Sequence, residues 1–451
     1  MKRPRRPRSP RARRVLLALA LALPLVLACV VGACTTIYVQ PPGTAPAPDA
    51  APLSVVYLIG DFGRPAAPFE DLVAAIGADV DSLAVQSLRT PPFILELGDN
   101  LYEQGLPHDL AGPGAAGELD KLRAIAAGFA GIRHGGARVP VVLIPGNHDY
   151  ADNALELEGN RGDISRWYFL DELGIEGTAT WTHLPGDASG FASAAALFAH
   201  IDGNPQAHAR FMAPVAVPGT GPEIAVVALD SQLLLDLYAT DNVALAAEYW
   251  GWLDEALDRA PQGAWLIIAA HHAPVSYGKH GRPALGNWIF GQGWPQFPTR
   301  TQKALAALTP LAVVLGLVVH PAAAAIAAVP PLTTWFVTVR KQDLGSDAYQ
   351  RYSAALLEVA ERHSVSVILS GHDHNTQIID LGATGAAATE DAPLLVITGA
   401  GSKVDPVRRG PGTLAFLADY SWVRMSLHAG ALSFEVRDRR GELRYRHVLR
   451  R

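Results

Sequence analysis

Five short segments of this 451-residue chain carry side chains able to hold metal ions or move protons. They are Gly60-Asp61-Phe62-Gly63, Gly98-Asp99-Asn100-Leu101-Tyr102, Gly146-Asn147-His148-Asp149, His271-His272-Ala273-Pro274 and Gly371-His372-Asp373-His374. Any one of them alone is an ordinary turn, because Gly, Asp and Asn are the common turn residues. Together, two carboxylates, an amide oxygen, three imidazoles and a phenol make a mixed oxygen and nitrogen donor set suited to two hard-to-borderline cations. No Gly-x-Ser-x-Gly elbow precedes a helix, so a Ser-His-Asp hydrolase has little support.

The elements that must position these residues follow from the apolar pattern. Short apolar runs alternate with helix-like stretches, the pattern of an α/β protein. Candidate strands cover residues 55–59, 93–97, 139–144, 224–229, 265–270, 364–369 and 394–398. Asp61, Asp99, Asn147, His272, His372 and His374 all fall at or just beyond the carboxyl end of one of them. In layered α/β folds that edge is where ligands gather.

The order and wording of the segments resemble the calcineurin-like metallophosphoesterases, whose motifs run Asp-x-His, Gly-Asp, Gly-Asn-His, His and Gly-His-x-His. The first motif here is Asp61-Phe62-Gly63, without its imidazole, and Tyr102 follows Asp99 by three residues. That exchange is similar to the purple acid phosphatases, with their Gly-Asp-x-Gly and Gly-Asp-x-x-Tyr motifs. With Gly399-Ala400-Gly401, it resembles the small, tartrate-resistant acid phosphatase type in particular. The resemblance covers roughly residues 53–450, interrupted between about 282 and 345.

The resemblance implies a four-layer α/β/β/α sandwich of two mixed sheets, with a dinuclear metal site at strand ends. It places Fe(III) on Asp61, Asp99, Tyr102 and His374, and a divalent Fe, Zn or Mn on Asp99, Asn147, His272 and His372, Asp99 bridging both. His272 is preferred to His271 because the Ala-Pro-Val after it is similar to the family's His-x-Pro-Val. His148 is placed to contact the phosphate or protonate the leaving oxygen. His280 resembles a second histidine with that duty, although its spacing from His272 is one residue short. The implied activity is hydrolysis of phosphomonoesters by a hydroxide bridging two metals. Fe(III) acidifies water strongly, so a mildly acid working range is expected. A phosphodiesterase with the same metals and a non-catalytic, metal-containing surface binding protein are the alternatives.

Composition bounds the setting. The chain is 49% hydrophobic and 18% charged, which excludes disorder over most of its length. A net charge of −6 argues against a nucleic-acid partner. Residues 1–14 hold eight basic side chains and no acid, and an uncharged apolar run over 15–31 follows, the layout of a secretory leader. Small residues before Cys34 resemble the lipobox of bacterial lipoproteins. The expectation is therefore a signal peptide over 1–33, a Pro/Ala-rich tether over 34–52 from a lipidated Cys34, and one metallophosphoesterase domain over 53–451. Such a protein is exported, stands on the periplasmic or cell-surface side of a membrane, and is expected to be a monomer acting on a small phosphate ester. Loss of residues 1–33 takes eight of 37 basic residues and none of 43 acidic ones, leaving a mature chain of 29 against 43, net −14.

Residues 304–339 contain no Asp, Glu, Lys or Arg. Pro310, Pro321, Pro330 and Pro331 divide them into pieces short of the ~20 residues a membrane helix needs. A single crossing would also separate His372 and His374 from Asp61 and Asp99. Packing on the domain or over the cleft is the expectation, and a hairpin dipping into the lipid surface is the alternative.

Overall fold

Alternate residues of strand β1 (Ser54–Ile59) enter two different cores. Val56 and Leu58 pack with one apolar cluster, and Val55, Tyr57 and Ile59 with another. A strand buried on both faces belongs inside a layered structure. The computed structural model describes residues 45–48, 50–83, 86–105, 115–150, 204–217, 223–281, 342–386 and 392–451. The expected leader, Cys34 with most of the tether, and residues 282–341 of the insertion lie outside them. Among the described residues, no helix is long and apolar enough to cross a membrane.

In the first sheet β1 pairs in parallel with β2 (Phe93–Glu96), and β2 with β5 (Val141–Leu143). Strands β3 (Arg133–His134) and β4 (Ala137–Arg138) form a small hairpin of their own. The second sheet contains β6 (Val215–Ala216), β7 (Ile224–Ala228), β8 (Trp265–Ala269), β9 (Val367–Ser370), β10 (Thr376–Asp380), β11 (Leu394–Thr398) and β12 (Thr413–Leu417), in the order β12-β10-β11-β9-β8-β7-β6. Strands β13 (Ser421–His428), β14 (Ala431–Asp438) and β15 (Leu443–Arg450) return to the first sheet, where β13 runs antiparallel to β1. Both sheets are mixed.

Three apolar clusters define the layers. Leu58, Leu95, Val423 and Phe434 of the first sheet meet Val226, Ile267, Val367 and Val396 of the second. Outside the first sheet, helices α1 (Ala67–Ser82) and α2 (Ala115–Ala130) set Phe69, Leu72, Ile125 and Phe129 against Tyr57 and Ile59. Beyond the short α3 (Pro205–Phe211), the helices α4 (Ser231–Ala239), α5 (Val243–Asp258) and α6 (Asp347–Arg362) cover the second sheet, with Leu233, Leu253 and Leu356 against Val227, Ile268 and Ile368. The architecture is the α/β/β/α sandwich that the resemblance implied.

Strand positions differ from the sequence expectation in two ways. β9 begins at Val367 rather than 364, because Ser364, with a φ of 52°, still bonds back to the Glu361 carbonyl at the end of α6. Strands β3, β4, β6, β10 and β12–β15 lie outside the candidate runs. In β13–β15 apolar residues alternate with charged ones instead of forming runs, since the outer face carries ion pairs such as Arg424–Asp79 at 3.3 Å and Arg446–Glu435 at 2.7 Å.

The two sheets touch along the edge where the reactive segments lie. The Gly401 amide, beyond β11 of the second sheet, donates to the Gly60 carbonyl, beyond β1 of the first, at 3.0 Å. This closeness explains two glycines. A Cβ at Gly98, whose φ is +94°, would sit 2.4 Å from His271 Nδ1, and one at Gly371 would sit 2.6 Å from the Leu97 carbonyl oxygen. Gly98→Ala is therefore expected to destabilise the fold by roughly 2 kcal/mol. Equilibrium denaturation of the two proteins measures this, and a loss below about 0.5 kcal/mol, the range of neutral surface changes, would contradict it.

Candidate metal centre

Asp61, Asp99 and His372 each follow a glycine and hold a left-handed φ of 57°, 56° and 67°. Non-glycine residues avoid that region unless the surroundings impose it. The sharp turn brings each side chain back across the strand ends, and all three are buried. Asp149 fixes the two loops of the first sheet to each other: its carboxylate accepts the amides of Asn100 (3.0 Å), Leu101 (3.1 Å) and Gly146 (2.8 Å).

On one side of the centre lie two imidazoles and an amide. His271 Nδ1 is 2.7 Å from the Leu97 carbonyl oxygen. A carbonyl only accepts, so Nδ1 carries the proton and, in a neutral ring, Nε2 presents a lone pair. That nitrogen faces Asn147 Oδ1 at 3.1 Å and Asp99 Oδ1 at 3.4 Å. His372 Nε2 is likewise held by the Gln342 carbonyl at 3.0 Å, and its Nδ1 faces Asn147 Oδ1 at 3.1 Å. Burial, then the neighbouring imidazoles of His280, His272 and His271, hold His372 well below the usual imidazole range and hence neutral. Four atoms able to donate an electron pair thus converge in a buried space. Such a set fits a metal cation.

On the other side the donors are mainly oxygens. The Tyr102 hydroxyl is 2.9 Å from Asp99 Oδ2 and 3.0 Å from Asp61 Oδ1, so one phenol proton serves two carboxylates. His374 Nδ1 is held by Asp405 Oδ2 at 2.7 Å, which turns its Nε2 to Tyr102 Oη at 3.3 Å and Asp61 Oδ1 at 3.5 Å. Burial and the Asp99 charge push Asp61 well up, and burial with both carboxylates does the same to Tyr102. Burial opposes ionisation of Asp99 too, but the His271 and His148 imidazoles hold it below the usual carboxylate range. Asp99 reaches both sides, one oxygen to each. The ligand atoms of Asp61, Asp99 and His271 lie within 4.8 Å of one another, as do those of His271, His272 and His372. These residues fit a pair of metal ions.

The structure brings Asp61, Asp99, Tyr102, Asn147, His372 and His374 together. It differs from the sequence preference at the histidine pair. His271, not His272, faces Asn147 and Asp99, whereas both ring nitrogens of His272 are taken, Nδ1 by Ser231 Oγ and Nε2 by Gln342 Oε1, each at 2.8 Å. The sequence held the signal: counted from His271, the spacing to His280 gains the one residue it lacked. His148 packs edge-on to Tyr102 at 4.6 Å, its Nδ1 on the Glu103 carbonyl at 2.7 Å and its Nε2 4.0 Å from Asp99 Oδ2. His280 lies 4.2 Å, ring to ring, from His372, with Nδ1 on Asp343 Oδ1 at 2.9 Å. Burial opposes its charge, but the Asp343 hydrogen bond and the Asp373 carboxylate raise it above the usual imidazole range. Sequence reasoning missed Asp149, Asp405, Gln342 and Ser231, and also Lys403, whose ammonium sits 3.6 Å over the Tyr102 ring.

No family model and no curated protein matches the chain. Among solved structures it is similar to GAP50, the anchor in the inner membrane complex of Plasmodium, at 12% identity and a TM-score of 0.45 over 89% of each chain. It is also similar to the purple acid phosphatase PPD1 from yellow lupin (Lupinus luteus) seeds, at 14% identity and a TM-score of 0.48 over 90% of this chain and 55% of that one. A third is the phosphopantetheinyl hydrolase PptH from Mycobacterium tuberculosis, at 10% identity and a TM-score of 0.27 over 77% of this chain and 89% of that one. At such identities the likeness concerns the fold alone.

Beside the centre, Asp230 caps α4 by accepting the Leu233 amide at 2.9 Å, and accepts the Tyr150 hydroxyl at 2.8 Å. Burial, chiefly, pushes its carboxyl up to about 7. The unfolded carboxyl ionises near ~4, so the stability from retaining its proton is complete below that pH and is lost as pH rises to about 7. Asp230→Asn keeps a capping side chain and cannot ionise. Its stability relative to the parent should improve steadily from pH 4 to 7 in denaturant titrations, and a constant difference would refute this assignment.

Proposed function

We propose that the chain is a dinuclear metallohydrolase that cleaves phosphomonoesters, similar in chemistry to the acid phosphatases its motifs resemble. The observation that carries this reading is the buried convergence of nitrogen and oxygen donors from His271, His372, Asn147 and Asp99, continued through Asp99 to Asp61, Tyr102 and His374. In this reading Asp61, Asp99, Tyr102 and His374 hold Fe(III), since a hard trivalent ion favours three anionic oxygens. Asp99, Asn147, His271 and His372 hold a divalent Fe, Zn or Mn, the amide and imidazoles suiting a softer ion. When bound, such a pair supplies a hydroxide near neutral pH and neutralises the phosphoryl oxygens.

The remaining groups handle protons. With Nδ1 of His148 committed to the Glu103 carbonyl, any proton it gives or takes passes through Nε2, the atom turned towards Asp99. His280, held above the ordinary imidazole range by Asp343 and Asp373, retains its proton under mildly acid conditions and can donate to a leaving oxygen. Lys403 and Arg64, both over the Tyr102 ring, add positive charge beside the centre of an otherwise acidic protein. The arginine-rich leader and the small residues before Cys34 support export and lipid anchoring.

Purified protein is expected to contain two metal ions per chain, to show a visible tyrosinate absorption that Tyr102→Phe removes, and to hydrolyse an aryl phosphate best at mildly acid pH. Asp99→Ala should lower turnover by more than the roughly 100-fold typical of changes that only reorient a ligand. Metal-loaded protein with no turnover would sink the enzymatic reading in favour of a binding protein. Mass spectrometry of the mature N-terminus should find a lipidated Cys34, and an intact leader would contradict that part.

A further inference from the structure

His272 and Gln342 are buried beside the centre, and although a ring nitrogen of His272 lies within 4.8 Å of those of His271 and His372, both its ring nitrogens are engaged elsewhere. They belong to a head-to-tail chain of hydrogen bonds. The Ser231 hydroxyl, which accepts the His272 amide at 3.0 Å, donates to His272 Nδ1 at 2.8 Å. His272 Nε2–H donates to Gln342 Oε1 at 2.8 Å, Gln342 Nε2–H to Gln232 Oε1 at 3.1 Å, and Gln232 Nε2–H to Asp236 Oδ2 at 3.0 Å. Every donor points the same way, and the chain ends on a carboxylate, which can only accept. That end fixes the direction of all the bonds before it, and each polarises the next.

What the chain holds in place is the peptide of Gln342, whose carbonyl accepts His372 Nε2–H at 3.0 Å. The next residue, Asp343, holds His280 Nδ1 at 2.9 Å, and the His280 ring lies 4.2 Å from that of His372. Gln342 and Asp343 therefore fix the His372 ring through one nitrogen and one face. A ring whose Nε2 carries the proton has its Nδ1 lone pair free for Asn147's side of the centre.

We propose that Gln342 is the positioning residue of the divalent half of the metal centre, and that His272 serves it as a strut rather than binding metal. The inference rests on the metal-centre reading above. It makes the two halves separable, because Tyr102 and His374 do not touch this hydrogen-bond chain.

The test is divalent-metal affinity, measured by chelator competition with Zn(II) on full-length protein, beside the tyrosinate absorption. Gln342→Ala should weaken Zn(II) binding at least tenfold, the lower end of what loss of a ligand-orienting partner causes, with the absorption band unchanged. Gln342→Met retains the side-chain volume without hydrogen-bonding groups; it should behave as Gln342→Ala does and replaces it if that variant fails to fold. Zn(II) affinity within twofold of the parent in the folded Ala or Met variant, or equal loss of Zn(II) and the absorption band, would overturn the proposal. A parent protein that takes up no metal pair would instead overturn the metal-centre reading on which it rests.

Discussion

The centre is governed by the crowding of electron-pair donors in a buried space. Asp61, Asp99, Asn147, His271, His372 and His374 turn lone pairs towards one another in a buried space, and the phenol of Tyr102 is the one hydroxyl among them. Each imidazole has its other nitrogen fastened to an acceptor outside the cluster: Leu97 for His271, Gln342 for His372, Asp405 for His374. Those outer bonds fix which nitrogen of each ring turns inward. Mutual repulsion of that kind is costly in a low-dielectric interior, and cations relieve it. The left-handed turns and interlocked glycines hold the donors where they would not gather unaided.

The two sheets make unlike contributions. The first supplies Asp61, Asp99 and Asn147 from the ends of β1, β2 and β5, so its donors are oxygens. The second supplies His271 from the end of β8 and His372 and His374 from the turn between β9 and β10, so its donors are nitrogens. Neither sheet alone carries the whole donor set. The centre exists only once the apolar faces of Leu58, Leu95, Ile267 and Val367 have closed on each other, and these pairings join residues far apart in sequence. Such contacts form slowly because loop closure precedes their stabilisation.

Much of this was legible in the sequence because strands buried on both faces read as apolar runs, and the residue after each run is forced to the strand-end edge. Of the two adjacent histidines, the wording after the pair pointed to His272, and only the spacing to His280 pointed to the one that turns inward. Successive residues leaving a strand point opposite ways, so a one-residue difference exchanges His271 and His272. The supporting residues were harder still. Asp149 lies 49 residues from Asn100, and Gln342 lies 70 from His272; each acts on backbone or imidazole partners that no local pattern marks. Strands β13–β15 escaped notice because their charged residues pair across one face and break up the apolar runs.

Asp99 divides its carboxylate between the two halves, Oδ1 towards His271 and Oδ2 towards Tyr102. Two ions sharing one carboxylate are thermodynamically linked. The first to bind orients Asp99 for the second and repels it by charge, and the balance of those effects is one coupling free energy common to both. In the proposed dinuclear reading, whatever factor one ion imposes on the affinity for its partner, the partner must impose on the affinity for the first.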